Sequence, residues 1–242
     1  MAYGTLIGAI RHQGFIPWDD DIDVLMPRPD YERLVSIIET ENNNRYQLIS
    51  FDNNSQFTAP LPKIVDNKTT VVQEYGFIER VPLGVYIDIF VLDGVGNSFD
   101  EGLENYEKGA SILKKWGRAD QMLFPPLSEN RIKDVFRWIR ACPYKVLGIS
   151  YYLKKLRCHC MKKEYDSCKY VSSMSLTSTN SSEKNVLLRS DFGNGIPVKF
   201  RKDVFMAPEN YDKLLRIWYG DYMQLPPIEK QVTHHQYKAW WN

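Results

Sequence analysis

The sequence predicts an α/β or α+β fold, because helical and strand signals alternate along it. Two short runs rich in branched apolar residues, 19–26 and 84–95, have the length of buried strands. Proline at the start and glycine at the end of the segment 208–220 are the usual start and stop signals of a helix. With 242 residues and 43% hydrophobic content, the chain can bury a substantial core, so we expect a single domain over residues 1–242.

The first elements follow from local signals. A Gly4-Thr5 pair before the apolar stretch "LIGAI" predicts one or two helical turns entered through a glycine bend, and "QGFIP" predicts a turn. A strand is then expected over 19–26. It is followed by a helix over 30–40, with Pro29 near its start.

The rest of the chain is predicted to hold one more buried strand, at 84–95, and helices at 99–116, 131–163 and 208–219. The region 131–163 is expected to form two helices broken at Cys142-Pro143, since proline interrupts a helix. Gly220 is expected to end the last helix.

Composition narrows the classes of function. The net charge of +1 lacks the basic surplus of nucleic-acid-binding proteins, so we expect no nucleic acid partner. No apolar run reaches the roughly 18 residues of a spanning helix, and the first residues do not resemble a signal peptide, so we expect a cytoplasmic protein. Four cysteines are too few for a disulfide scaffold of this length, and reduced thiols are expected.

The most informative stretch is "GFIPWDDDIDVLM", which places four aspartates in five positions. In a strand, Asp21 and Asp23 share one face and Asp20 points the other way. Two carboxylates this close beside apolar residues favour a bound cation, and hard oxygen donors favour Mg²⁺ or Mn²⁺. Asp88, within "YIDIF", is the natural third donor. The alternative is that these acids are turn and cap residues on a solvated edge.

Gly4 and Thr5 are candidates for binding a phosphate group. A glycine bend that opens a helix exposes backbone N–H groups at the positive end of the helix dipole. A Gly-Thr pair alone is a weak signal. Followed by an Asp-x-Asp strand, it resembles the glycine/serine-then-Asp-x-Asp signature of the nucleotidyltransferase fold, at slightly longer spacing.

Three segments carry a more specific resemblance: "GTLIGAIRHQGFIPWDDDIDVLMPRPDY" (4–31), "YIDIFVLDG" (86–94) and "YGDYMQLPP" (219–227), the last followed by two adjacent histidines. In these the chain resembles the LicD-type transferases, bacterial phosphocholine transferases whose animal relatives include fukutin and fukutin-related protein. The resemblance implies a nucleotidyltransferase-like fold: a core at about 1–95, with a mixed sheet carrying the Asp-x-Asp strand, and a helical C-terminal region at about 96–242. It also implies that Asp21, Asp23 and Asp88 are catalytic and hold the metal.

The activity implied by this resemblance is transfer of a phospho-alcohol, above all phosphocholine, from a CDP-activated donor such as CDP-choline. The acceptor would be a hydroxyl of a cell-surface glycan, as in lipopolysaccharide or teichoic acid, or of its lipid-linked precursor. Two alternatives stay open: a nucleotidyltransferase that releases pyrophosphate, and a non-catalytic regulator with the same fold. The retained aspartates argue against the second alternative, because repelling carboxylates are costly without a metal to bind.

Several further residues have both a functional and a structural interpretation. Arg11 would clamp the diphosphate or lie at a helix end on the surface, and Lys63 would bind the donor or remain solvated. The same choice, between the site and an ordinary structural role, applies to His12, Asp221, Tyr222, His234 and His235.

Cys158, Cys160 and Cys168 lack the Cys-x-x-Cys spacing of strong zinc sites, so free thiols are the favoured interpretation. Region 131–163 holds ten Lys or Arg residues against one Asp, interleaved with aromatic residues. It would make a peripheral contact with an anionic membrane at its inner face or grip an anionic glycan, or else form a solvated face packed on the core.

The start of the chain departs from the family pattern, in which a helix and a strand usually precede the Gly-Thr motif. Here Met1 stands three residues before Gly4. We therefore expect the N-terminus to be truncated relative to the family, and a longer chain to be more stable because it would cover an exposed sheet edge.

Overall fold

The computed structural model describes residues 1–41, 43–73, 81–123, 130–175, 181–233 and 237–242. In chain order the elements are α1 (Tyr3–Ile7), β1 (Asp23–Pro27), α2 (Arg28–Glu41), β2 (Tyr46–Ile49), β3 (Lys63–Asp66), β4 (Thr69–Gln73), β5 (Tyr86–Gly96), α3 (Phe99–Asp120), α4 (Arg131–Leu147), α5 (Ile149–Cys160), β6 (Tyr170–Ser172), β7 (Leu187–Leu188), β8 (Ile196–Phe200), β9 (Asp203–Ala207), α6 (Tyr211–Tyr219) and β10 (Tyr237–Trp241). A π-helical turn, Gly8–His12, extends α1.

The main sheet is built around β5, whose apolar residues are buried from Ile89 onward. The strand order is β2-β3-β5-β6-β7, with β1 also paired to β5. Only the β1–β5 pairing is parallel among the strand pairs that the structure describes, and the others are antiparallel. The sheet is therefore mixed, and the predicted α+β class is confirmed.

Helices cover this sheet and supply the core. Helix α3, whose N-cap Ser98 accepts a hydrogen bond from the Glu101 amide, packs on β5 and α5 around the buried Tyr106. Helix α2 lays Tyr31 on β1 and β5. The α1 turn packs against α6, burying Leu6 and Leu215. None of the described helices is long and apolar enough to cross a bilayer.

Three sequence-based boundaries need correction. The strand expected from residue 19 begins at Asp23, because the Asp19 amide donates to the Ile16 carbonyl and closes a turn just before it. Helix α4 does not break at Cys142-Pro143 but continues to Leu147. Pro143 lies on an exposed side of the helix, where water can satisfy the carbonyl that loses its donor.

The break between α4 and α5 falls instead at Gly148, whose φ of 76° lies in the left-handed region that favours glycine. The last predicted helix starts at Tyr211 rather than at 208, since the Asn210 amide is still bonded to the Asp191 carbonyl. It ends before Gly220 as expected.

Candidate functional site

A cleft of about 600 Å³ opens beside the start of β1, within the size range of small-molecule sites. Its walls come from both ends of the sequence: the α1 turn and the aspartate segment on one side, and residues 219–230 on the other. The polar and aromatic residues that line it are Tyr3, Arg11, Trp18, Asp19, Asp21, Asp23, Tyr219, Asp221, Tyr222, Gln224 and Lys230.

Strand register brings three of the predicted residues together. Strand β5 lies between β1 and β3. In the register of these pairs, Asp88 on β5 stands opposite Asp23 on β1 and opposite Lys63 on β3. The Lys63 ammonium forms an ion pair with the Asp88 carboxylate, and both side chains are largely buried. The same ammonium lies 3.6 Å from the centre of the Tyr86 ring. Lys63 is therefore fixed beside the acids rather than solvated.

Asp23 is the most perturbed carboxyl group in the cleft. Burial, together with the neighbouring carboxylates of Asp21, Asp88 and Asp19, raises the pKa of Asp23 to about 8, and the positive charge of Lys63 opposes this only in part. Among the described residues, three carboxylates and one ammonium therefore act on the Asp23 carboxyl group.

Carboxylate oxygens of Asp19, Asp20 and Asp21 all lie within 4.8 Å of one another. Sequence reasoning placed Asp20 on the face opposite to Asp21, which is wrong because this segment is irregular rather than an extended strand. Hard oxygen donors at this spacing, beside the uncompensated Asp23, fit a divalent cation such as Mg²⁺ or Mn²⁺. The roles of Asp21, Asp23 and Asp88 as metal ligands stay a prediction, and the geometry adds Asp19 and Asp20 as candidates.

Gly4 and Thr5 lie inside the first turn of α1 rather than in a loop before it. A Cβ at Gly4 would meet the Asp19 carboxylate, so a larger residue at this position would displace that side chain. The buried Thr5 hydroxyl accepts a hydrogen bond of 2.9 Å from the Asp23 amide. The pair thus sets the position of two aspartates, and its predicted contact with phosphate stays a prediction.

Arg11 lines the cleft, but its guanidinium donates to the carbonyl oxygens of Tyr222, at 2.5 Å, and Gln224, at 3.2 Å. It thereby ties the π-helical turn to the loop that forms the opposite wall. Arg11 Nε also donates to His12 Nε2, and burial together with the charge of Arg11 lowers the pKa of His12. His12 is therefore held neutral. His234 and His235 lie outside the described residues.

Sequence reasoning missed two tyrosines of the cleft. Burial, reinforced by the Asp23 carboxylate, raises the pKa values of both Tyr3 and Tyr219, which keeps the phenols protonated. Tyr219 is the first residue of the motif "YGDYMQLPP", and this motif is the sequence signal that points to Tyr219 as a site residue. Tyr222 and Asp221, in the same motif, both line the cleft. Tyr222 is otherwise buried, and its hydroxyl donates to Asp212 Oδ1 at 2.7 Å.

The four cysteines are free thiols. Cys160 is buried beside the ion pair of Arg28 and Asp93, and burial raises the pKa of its thiol. Cys158 is exposed on α5.

Comparison with known proteins gives two kinds of match. Residues 1–82, which include α1, β1 and β3, match the family described as LicD/FKTN/FKRP, nucleotidyltransferase domain. Over 254 aligned residues the chain is 32% identical to the lipopolysaccharide cholinephosphotransferase LicD of Haemophilus influenzae, covering 98% of this chain and 86% of that protein.

A shorter match, 51% identical over 35 residues, covers 14% of the chain and 13% of the uncharacterized protein RP689 of Rickettsia prowazekii. No solved structure matches the chain. The similarity to the Haemophilus protein nevertheless extends over nearly the whole sequence. By this similarity, and by the aspartate segment within residues 1–82, the chain belongs to the LicD family.

Proposed function

We propose that this protein is a cholinephosphotransferase that transfers phosphocholine to a hydroxyl group of a cell-surface glycan such as lipopolysaccharide. The observation that carries the proposal is the cluster of Asp23, which lines the cleft, with Asp88 and Lys63 on the neighbouring strands. The chain that holds this cluster is similar over 98% of its length to a protein named for this activity. We further propose CDP-choline as the donor and a cytoplasmic location at the inner face of the membrane.

In this proposal Asp21, Asp23 and Asp88 would hold Mg²⁺ or Mn²⁺, with Asp19 and Asp20 close enough to contribute. The bound cation would neutralise negative charge on the diphosphate of the donor. The raised pKa of Asp23, caused by burial and by the carboxylates of Asp21, Asp88 and Asp19, supports this assignment, since a bound cation would favour the charged form of this carboxyl group.

The residues of the chain then have distinct tasks. Lys63 fixes the rotamer of Asp88 through its ion pair, and Thr5 fixes the backbone of Asp23. Arg11 holds the 222–224 loop in place as one wall of the cleft. The protonated phenols of Tyr3 and Tyr219 can donate hydrogen bonds to the anionic donor.

The reaction itself exchanges a phosphoanhydride bond of the donor for a phosphoester bond to the acceptor. The acceptor oxygen forms a bond to the phosphorus that carries choline, the bond from this phosphorus to the bridging oxygen breaks, CMP leaves with that oxygen, and the acceptor proton passes to solvent. Positioning and electrostatic stabilisation supply most of the catalysis in phosphoryl transfer of this kind.

The test incubates the protein with CDP-choline carrying a label in the choline, a lipopolysaccharide acceptor and either Mg²⁺ or a chelator. We expect CMP release and label in the glycan, both dependent on the metal and both lost in Asp21→Ala. Use of CTP with release of pyrophosphate would instead identify a nucleotidyltransferase. Absence of any product with every CDP-alcohol tested would identify a non-catalytic relative.

A further inference from the structure

Helix α4 turns apolar residues away from the core. Its buried side consists of Asp134 and Ala141 with the partly buried Trp138, and this side packs on α3. The opposite side carries Ile132, Phe136, Ile139 and Val146, at the spacing of one helical face, and these side chains are between 54% and 85% exposed. A stripe of this kind on the outside of a helix costs free energy in water and indicates an external partner.

A basic groove lies beside this stripe. Lys133, Arg137 and Arg140 follow one another along α4, and Arg118 of α3 completes a groove that also includes Phe136. No acidic residue is among the described residues that line it. The one acid of the region 131–163, Asp134, is buried against α3. The outer surface of α4 is therefore apolar and cationic, with no exposed carboxylate of its own.

From this arrangement we propose that α4 is a membrane-docking helix that lies in the interface of an anionic phospholipid bilayer. The stripe would enter the acyl boundary, and the groove would take lipid phosphate groups. Amphipathic helices with basic flanks bind anionic interfaces through this combination of buried apolar area and charge attraction. A second copy of the chain fits the surface poorly, because face-to-face association would bring two basic rows together.

The docking helix is distinct from the cleft. It belongs to the helical layer of α3, α4 and α5, and none of its residues lines the cleft at β1. The inference therefore stands whether or not the proposed activity is correct. It also explains how this chain, whose described helices do not cross a membrane, could reach an acceptor embedded in one.

The experiment is flotation of the full chain with vesicles of phosphatidylcholine alone and of phosphatidylcholine mixed with phosphatidylglycerol. Lys133→Gln with Arg140→Gln should lower partitioning onto the anionic vesicles about 30-fold, since each basic residue near such a surface contributes about fivefold. Phe136→Ser should lower it roughly tenfold through lost apolar burial. Matched controls are Lys199→Gln with Lys202→Gln, and Phe205→Ser, which change exposed residues of β8, β9 and the turn between them.

Flotation with anionic but not with zwitterionic vesicles, weakened by the α4 variants and not by the controls, supports the proposal. Absence of flotation of the wild type overturns it. Equal flotation of wild type and α4 variants also overturns it, because another surface must then bind. Finally, a dimer that Phe136→Ser dissociates in sedimentation, without vesicle binding, would assign the stripe to a second copy and overturn the membrane assignment. Circular dichroism of each variant establishes that α4 is retained.

Discussion

The two ends of strand β5 hold buried carboxylates in contrasting surroundings. At one end, Asp93 receives two hydrogen bonds from the guanidinium of Arg28, at 2.7 and 3.0 Å, so one negative charge meets one positive charge. At the other end, Asp88 shares the single ammonium of Lys63 with Asp23, and further aspartates stand nearby.

The direction of the pKa shift does not distinguish these ends. Burial raises the pKa of Asp93 and that of Asp23 alike. The neighbouring charges do distinguish them: Asp93 pairs with the guanidinium of Arg28, whereas three carboxylates and one ammonium act on Asp23 among the described residues, where we propose that a further cation binds. A buried acid therefore indicates a ligand site when its neighbours leave it uncompensated, and an element of the fold when one partner satisfies it.

The sharpest test of this contrast is Asp23→Asn. We expect phosphocholine transfer to fall by about 10³-fold, since a bound metal contributes several kcal/mol of transition-state stabilisation. The melting temperature should stay the same or rise, because burial and the neighbouring carboxylates already disfavour the charged form of Asp23, and the amide is always neutral. Rate assays and thermal unfolding of the same preparations measure both effects. Asp203→Asn, at an exposed position on β9, is the control. Activity within tenfold of wild type would contradict the assignment.

At the other end of β5, Asp93→Ala should behave in the opposite way. Breaking a buried pair leaves the partner uncompensated, so the free energy of unfolding should fall by about 3–5 kcal/mol, while the activity of each folded molecule is kept. Urea denaturation measures the loss. The double variant Arg28→Met with Asp93→Leu should recover most of the lost free energy of unfolding. Failure to recover it would show that Arg28 or Asp93 stabilises the fold through partners other than each other.

A smaller effect is expected from Lys63→Met. Without metal, the variant should be about 2 kcal/mol less stable than wild type, because Asp88 and Asp23 lose their shared cation. Titration with Mg²⁺ should narrow the difference in stability between variant and wild type. A cation bound to the folded state stabilises it, and in the variant this cation would also replace the positive charge that Lys63 supplied. Lys63→Arg keeps the positive charge and should be about as stable as wild type. If Mg²⁺ leaves the stability difference between Lys63→Met and wild type unchanged, that result would argue against a metal at this cluster.

The smallest effect concerns the hydrogen bond that positions Asp23. In Thr5→Val the Asp23 amide loses its acceptor, which should cost about 1 kcal/mol of stability and reduce the rate several-fold. Thr5→Ser retains the hydroxyl and serves as the matched variant in denaturation and rate measurements. If valine and serine behave alike, the hydroxyl has no part in setting the aspartate.

Much of this arrangement could be predicted from short patterns. The apolar run around Asp88 predicts a buried strand, and an acid within such a run is costly enough to suggest a partner. The α+β class and the family also followed from the sequence. These features depend on local composition and on the alternation of side chains along a strand, and contacts between distant segments do not change either of them.

The rest depends on contacts between distant segments. Asp20 joins Asp19 and Asp21 because a turn bends the chain before β1, and strand alternation does not apply there. Lys63 faces Asp88 only through the β3–β5 register. Proline alone does not determine where a helix ends, since α4 passes through Pro143 and stops at Gly148.

The tie between Arg11 and the carbonyls of Tyr222 and Gln224 has a consequence for biosynthesis. The aspartates emerge from the ribosome among the first residues of this sequence, while the wall that faces them is translated near its end. A nascent chain therefore lacks this wall of the cleft until residues 219–230 have left the exit tunnel.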